Sequence, residues 1–179
     1  MPSLANPAKR YSLKAIEAQT WKLFEKEFVP LKQLYDYVIF DCPPGISPLS
    51  EVAIRASDLV IVPTIPDFIS VYGLIAFLKI HWLDPRGVLP SPKLLPHVLV
   101  TRMQKSVKQH RETLERLEAA AKVKNPQIRL LKTNVEQAAA LAGALARTDE
   151  TPTFKQKYGK LTHVLDQLVR ELKGVLHGN

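Results

Sequence analysis

The sequence predicts a three-layer α/β fold, a mostly parallel sheet of about four strands flanked by helices. Two observations predict it. Four short runs, Tyr37–Phe40, Leu59–Val62, Val98–Val100 and Ile128–Leu131, are rich in β-branched, leucine and aromatic residues. Runs this apolar suit strands buried on both faces, as in a parallel sheet. Helical patterns separate the runs, and strands alternating with helices imply right-handed crossover connections. The 179 residues suffice for one domain with its own core. We therefore expect a disordered tail over 1–11 and a single domain over 12–179.

The elements follow in order. Ser12 is the N-cap expected for a helix from Leu13, with Ile16, Phe24, Phe28, Leu31 and Leu34 close to one stripe. Pro30 should kink or divide that helix, because proline removes an amide donor and crowds the preceding turn. Tyr37–Phe40 is the first strand, closed by Pro43-Pro44-Gly45. A short helix is expected over Ser50–Ala56, then a second strand closed by Pro63, then an apolar helix over Ile69–Trp82. The stretch Asp84–Pro96 holds four prolines and reads as a loop. The third strand follows Pro96. Val107–Val123 is amphipathic, with Leu114, Leu117 and Ala121 on its apolar face. After the fourth strand, Asn134 caps a helix over Val135–Arg147. A last helix, Lys155–Leu176, carries Leu161, Leu165, Leu168, Leu172 and Val175 on one stripe.

Charge is unevenly placed. Residues 1–90 hold nine Lys/Arg and nine Asp/Glu, whereas residues 91–179 hold the other sixteen and eight, and hence the whole net charge of +8. A one-sided basic surface attracts phosphate backbones without reading sequence. There is one cysteine, so no intrachain disulfide is available. No apolar run is long enough to span a bilayer, and the N-terminus lacks a signal-peptide core. A cytoplasmic location is expected, with nucleoid association following from the charge. The five histidines show no metal-ligand spacing.

In an open parallel sheet, ligands sit outside the carboxyl ends of the strands. Asp41, at the end of the first apolar run, should lie at that edge, where a carboxylate can hold Mg²⁺ directly or through water. Cys42 is read as a small buried residue and not as a reactive thiol. Pro43 and Pro44 stiffen the loop, and Gly45 permits a sharp turn.

The stretch Tyr35-Asp36-Tyr37-Val38-Ile39-Phe40-Asp41-Cys42-Pro43-Pro44-Gly45 resembles the second nucleotide motif (Walker B) of the ParA/MinD-type partition ATPases. The resemblance continues through Ala56–Pro63, Val71-Tyr72-Gly73-Leu74 and Val98-Leu99-Val100-Thr101-Arg102. It implies a fold like that of the P-loop NTPases. It implies that Asp41 is the metal-side acid and that Pro43, Pro44 and Gly45 form the switch that senses the γ-phosphate. It places Thr101 and Arg102 on the base side of the nucleotide. It implies ATP and Mg²⁺ as cofactors, an ATP-dependent dimer, non-specific DNA binding and a ParB-like adaptor. The family's proline near adenine has no counterpart in Lys132-Thr133-Asn134-Val135.

The family's glycine-rich phosphate loop has no counterpart either. Glycine occurs only at 45, 73, 87, 143, 159, 174 and 178. The single Gly-Lys pair, Gly159-Lys160, is followed by Leu161, with Phe154 where the motif needs its first glycine. Such loops cradle phosphate with backbone N–H groups and offset its charge with lysine. The first strands and the phosphate loop would precede Tyr35, so an N-terminally truncated, split or degenerate relative is expected, without ATP hydrolysis of its own. It would pair with itself or with a full-length ParA-like ATPase, or act as a non-enzymatic module on such an ATPase or on DNA. The DNA-binding candidates are Lys105, Lys108 and Arg111 near the start of one helix, and Lys155, Lys157, Lys160, Arg170 and Lys173 near the end. The closing basic amphipathic helix also resembles a membrane-targeting tail, but an α/β domain needs such a stripe to cover its sheet, so membrane binding is not expected.

Overall fold

In the computed structural model, which describes residues 7–43, 47–83, 92–138 and 153–178, the four apolar runs yield three strands. These are β1 (Ile61–Thr64), β2 (His97–Val100) and β3 (Arg129–Leu130), in the order β1-β2-β3, all parallel. Helices α1 (Pro7–Leu34), α2 (Pro48–Ala56), α3 (Phe68–Leu78), α4 (Lys108–Lys122), α5 (Phe154–Tyr158) and α6 (Leu161–His177) complete the described elements, with a π-helical turn at Lys79–Leu83. The α/β class is the one the sequence predicts. The chain divides into two compact units: Met1–Asp58 with Lys79–Lys93, and Leu59–Leu78 with Leu94–Asn179.

In the first unit, α1 begins at Pro7, ahead of the Ser12 cap read from the sequence. Proline suits the first turn of a helix, where its missing N–H has no partner to lose. The helix runs through Pro30 as one element. The expected strand at Tyr37–Phe40 belongs to no ladder among the described residues. Its backbone is carried by packing instead. Phe40 sits 5.4 Å from Phe24 and 5.2 Å from Phe28, ring centre to ring centre. Ile39 points away and is 90% exposed. Alternation along an extended segment puts one side chain in and the next out. Phe40 is the one that α1 takes.

In the second unit, β2 is the central strand and all four of its residues are buried. That is why His97–Val100 is so apolar. β1 is longer at its C-terminal end than expected, because Pro63 lies inside it. The ladder explains this. The His97 N–H donates to the Val60 carbonyl and the Thr101 N–H to the Thr64 carbonyl. Residues 60, 62 and 64 therefore face β2, while 61 and 63 face outward. Proline at 63 forfeits no ladder bond. Leu99, Leu131 and Val135 form a core cluster, covered by Leu168 and Leu172 of α6. The closing helix expected over 155–176 is split at Gly159, whose φ of +54° favours glycine. The helix expected from Val135 is not formed over its described part, 135–138, and the remainder lies outside the described residues.

Candidate functional site

Asp41 follows the extended segment and is exposed, as are Cys42 and Pro43. Pro44 and Gly45, the rest of the expected switch, lie outside the described residues. Cys42 is exposed and not buried as expected. Its thiol is nevertheless pushed up from the ordinary value, first by partial desolvation and then by the Asp41 charge. It stays protonated at neutral pH and is a poor nucleophile.

The far end of this loop is fixed by α2. Ser47 caps the helix, its hydroxyl accepting the Ser50 N–H at 3.0 Å, and Pro48 takes the first turn. Glu51, one turn in, is the hub of a largely buried trio. One carboxylate oxygen accepts from Arg55 Nη2 at 3.3 Å, and the other lies 2.7 Å from His81 Nδ1. Burial works to raise the Glu51 pKa. The hydrogen bonds and charges of His81 and Arg55 outweigh it and hold the carboxyl below its usual range. Glu51 and Arg55 stand at i,i+4, a pairing the sequence permits reading. His81, thirty residues away, carried no local signal.

A magnesium ion bound through one carboxylate normally takes its remaining ligands from water and substrate phosphates. Asp41, exposed at the end of its extended segment, is the residue that would supply that carboxylate. No group of three or more His, Cys, Asp or Glu able to hold a metal occurs among the described residues. For the triphosphate the chain's own residues do not fit, because no run of glycines with lysine is present to surround it.

The second unit places its own polar groups at the carboxyl edge of its sheet. Thr64 ends β1, with its hydroxyl 3.2 Å from the Val62 carbonyl. Thr101 and Arg102 follow β2. Arg102 is exposed and takes a left-handed backbone, φ +52°, uncommon for a residue with a side chain. Beyond β3, the Glu171 carboxylate of α6 accepts the Lys132 N–H at 2.5 Å and the Thr133 N–H at 2.9 Å. One side chain thus ties the loop after β3 to α6. An open groove of about 560 Å³ runs beside it, lined by Lys132, Thr133, Asn134, Gln167 and Arg170.

The basic candidates fall into two groups. Around the start of α4 they are engaged locally. Lys105 pairs with Glu136 at 2.5 Å, Lys108 with Glu112 at 3.5 Å, and Arg111 donates to the Lys105 carbonyl at 2.6 Å. On α5 and α6, Lys155, Lys160, Arg170 and Lys173 are exposed. Lys157 lies over the Tyr158 ring, 5.7 Å from its centre. No described helix is long and apolar enough to cross a membrane.

His97 carries a pH prediction. Burial is the main cause that lowers its pKa, with Arg129 adding to it, while the Leu95 carbonyl and Glu171 act the other way. The neutral ring, donating from Nδ1 to the Leu95 carbonyl at 3.0 Å, is thus favoured by folding. The unfolded chain binds the proton more readily. Stability from this group is complete above about pH 6.5 and declines as pH falls below it. Chemical denaturation at pH 7.5 and pH 5.5 should show that loss, and His97→Asn should flatten it.

Comparison with known proteins completes the picture. A family model described as an AAA domain matches residues 5–82. The sporulation initiation inhibitor protein Soj of Bacillus subtilis is 42% identical over 49 residues, 27% of this chain and 19% of that protein. The chromosome partitioning protein ParA of Myxococcus xanthus is 34% identical over 65 residues, 36% of this chain and 23% of that protein. An uncharacterized protein of Pseudomonas putida is 42% identical over 45 residues, 25% of this chain and 17% of that protein. The matched segments span about a fifth of the length of these relatives.

Proposed function

We propose, from the premise that this chain is related to the ParA/MinD-type partition ATPases, that it serves partition or positioning as a binding component that hydrolyses no ATP by itself. One observation carries this reading. The segment ending in Asp41 has the family's form, whereas this chain's glycines and lysines supply no phosphate cradle to face it. Phosphoryl transfer needs that cradle, because catalysis there is positioning and charge stabilisation.

What this chain does carry is charge, a net +8. Phosphate contacts need only positive groups with reach, so DNA binding does not require an active site. Lys155, Lys160 and Arg170 are exposed on or between the last two helices, and Lys105, Lys108 and Arg111 are exposed at the start of α4 with local partners of their own. A filter-binding salt series on the purified chain tests this. Binding should weaken steeply with salt. Combined Lys155→Ala, Lys157→Ala and Lys160→Ala should reduce the slope by about 1 per phosphate contact removed. ATP turnover by the same protein should stay at background and be unchanged in Asp41→Ala. A salt-independent affinity, or turnover abolished by Asp41→Ala, defeats the reading.

A second reading is a non-enzymatic module that docks on a full-length ParA-like ATPase. Ile39, 90% exposed on an extended apolar segment that joins no strand ladder among the described residues, favours it, since such a segment can add to a neighbouring sheet.

A further inference from the structure

The helix α3 has no charged residue from Phe68 to Leu78. At 100° per residue, Leu74 and Leu78 fall on one side, and both are buried. The other side carries Phe68, Ile69, Tyr72, Gly73, Ile75 and Ala76. All of it faces solvent: Phe68 is 54% exposed, Ile69 85%, Tyr72 74% and Ile75 44%. A helix that is apolar all round is normally covered on every side. Gly73 has open space where a side chain would stand. With Ala76 one turn on, it makes a shallow seat that lets a second helix come close.

We propose that this face is a self-association surface, on which α3 of a second copy of the chain packs across a twofold axis. Three arguments favour a second copy. The face has no charge for a nucleic acid or a charged peptide to pair with. Interfaces between identical chains are the more apolar ones. The area also suffices: the four large exposed side chains offer on the order of 500 Å². The same patch on both copies gives about 1,000 Å², the lower bound for a specific interface. A twofold arrangement needs only one such patch, set against itself. This dimer forms without nucleotide and stands independently of the partition reading.

Light scattering after size exclusion, on the full chain without ATP or Mg²⁺, tests it. From micromolar to hundreds of micromolar, the mass should rise from the 20.1 kDa of one chain to twice that value. Ile69→Lys and Ile69→Glu should each weaken association by roughly a hundredfold, since like charges would meet across the axis. Their circular dichroism should match that of the parent. Mixed together, the two variants should restore a dimer, which misfolded chains cannot do. A chain monomeric throughout overturns the proposal. So does a dimer indifferent to both variants, a dimer that needs ATP, or a face that instead binds neutral lipid vesicles.

Discussion

Glu51→Ala should destabilise the first unit by about 3–5 kcal/mol, the cost of leaving a buried charge without its partner. Arg55 is only 4% exposed, and Glu51 holds its Nη2. Its Nε and Nη1 are buried without a hydrogen-bond partner. Removing the carboxylate strips the guanidinium of its counter-charge and takes the 2.7 Å partner from His81. The converse experiment separates charge from packing. Glu51→Leu combined with Arg55→Met keeps most of the side-chain volume and removes both charges and the unsatisfied donors, so the double variant should cost less than Glu51→Ala alone. Urea titration followed by circular dichroism reads both. Equal losses in the two variants would show that the pair acts through packing and not through charge. Because the Glu51 pKa is depressed on folding, its contribution is complete above about pH 4.3 and is lost as pH falls below that value.

Leu131→Ala should cost about 2–5 kcal/mol in the second unit. Leu131 is buried and clusters with Leu99 and Val135, and the stripe side chains Leu168 and Leu172 of α6 cover the group. A cavity there removes contacts from the sheet and from its covering helix together. The same titration measures it, with Leu176→Ala as the reference. Leu176 is 37% exposed and should cost under about 1 kcal/mol. Similar losses in both variants would mean that α6 is not held by this cluster.

Much of the second unit was legible in the sequence. Val98–Val100 is apolar because β2 is central and covered on both faces. The stripe of Leu168 and Leu172 is the surface that packs. What could not be read there follows from tertiary geometry. The strand expected at Tyr37–Phe40 has the right composition, yet a strand exists only with a neighbour, and propensity supplies none. Pro63 reads as a terminator in one dimension. Only the ladder reveals that its backbone faces outward. Gly159 splits the last helix although the leucine stripe continues toward it. The candidate site divides in the same way. Asp41 enters the candidate site on its motif alone, whereas the Glu51–Arg55–His81 trio joins residues thirty apart, and no spacing rule anticipates it. The sequence could not show that Lys105 and Lys108, the candidates near α4, are exposed and have acids as neighbours, Glu136 and Glu112.

The outward-facing Pro63 has a bearing on colloidal behaviour. A short sheet with an open edge is a template on which other chains can stack into fibrils. With no hydrogen on that nitrogen, an intruding strand meets a broken row of donors along β1 and cannot zip along it continuously. The residue that seemed to stop a strand thus acts as a gatekeeper against aggregation at the one margin of the sheet where β1 has no described neighbour.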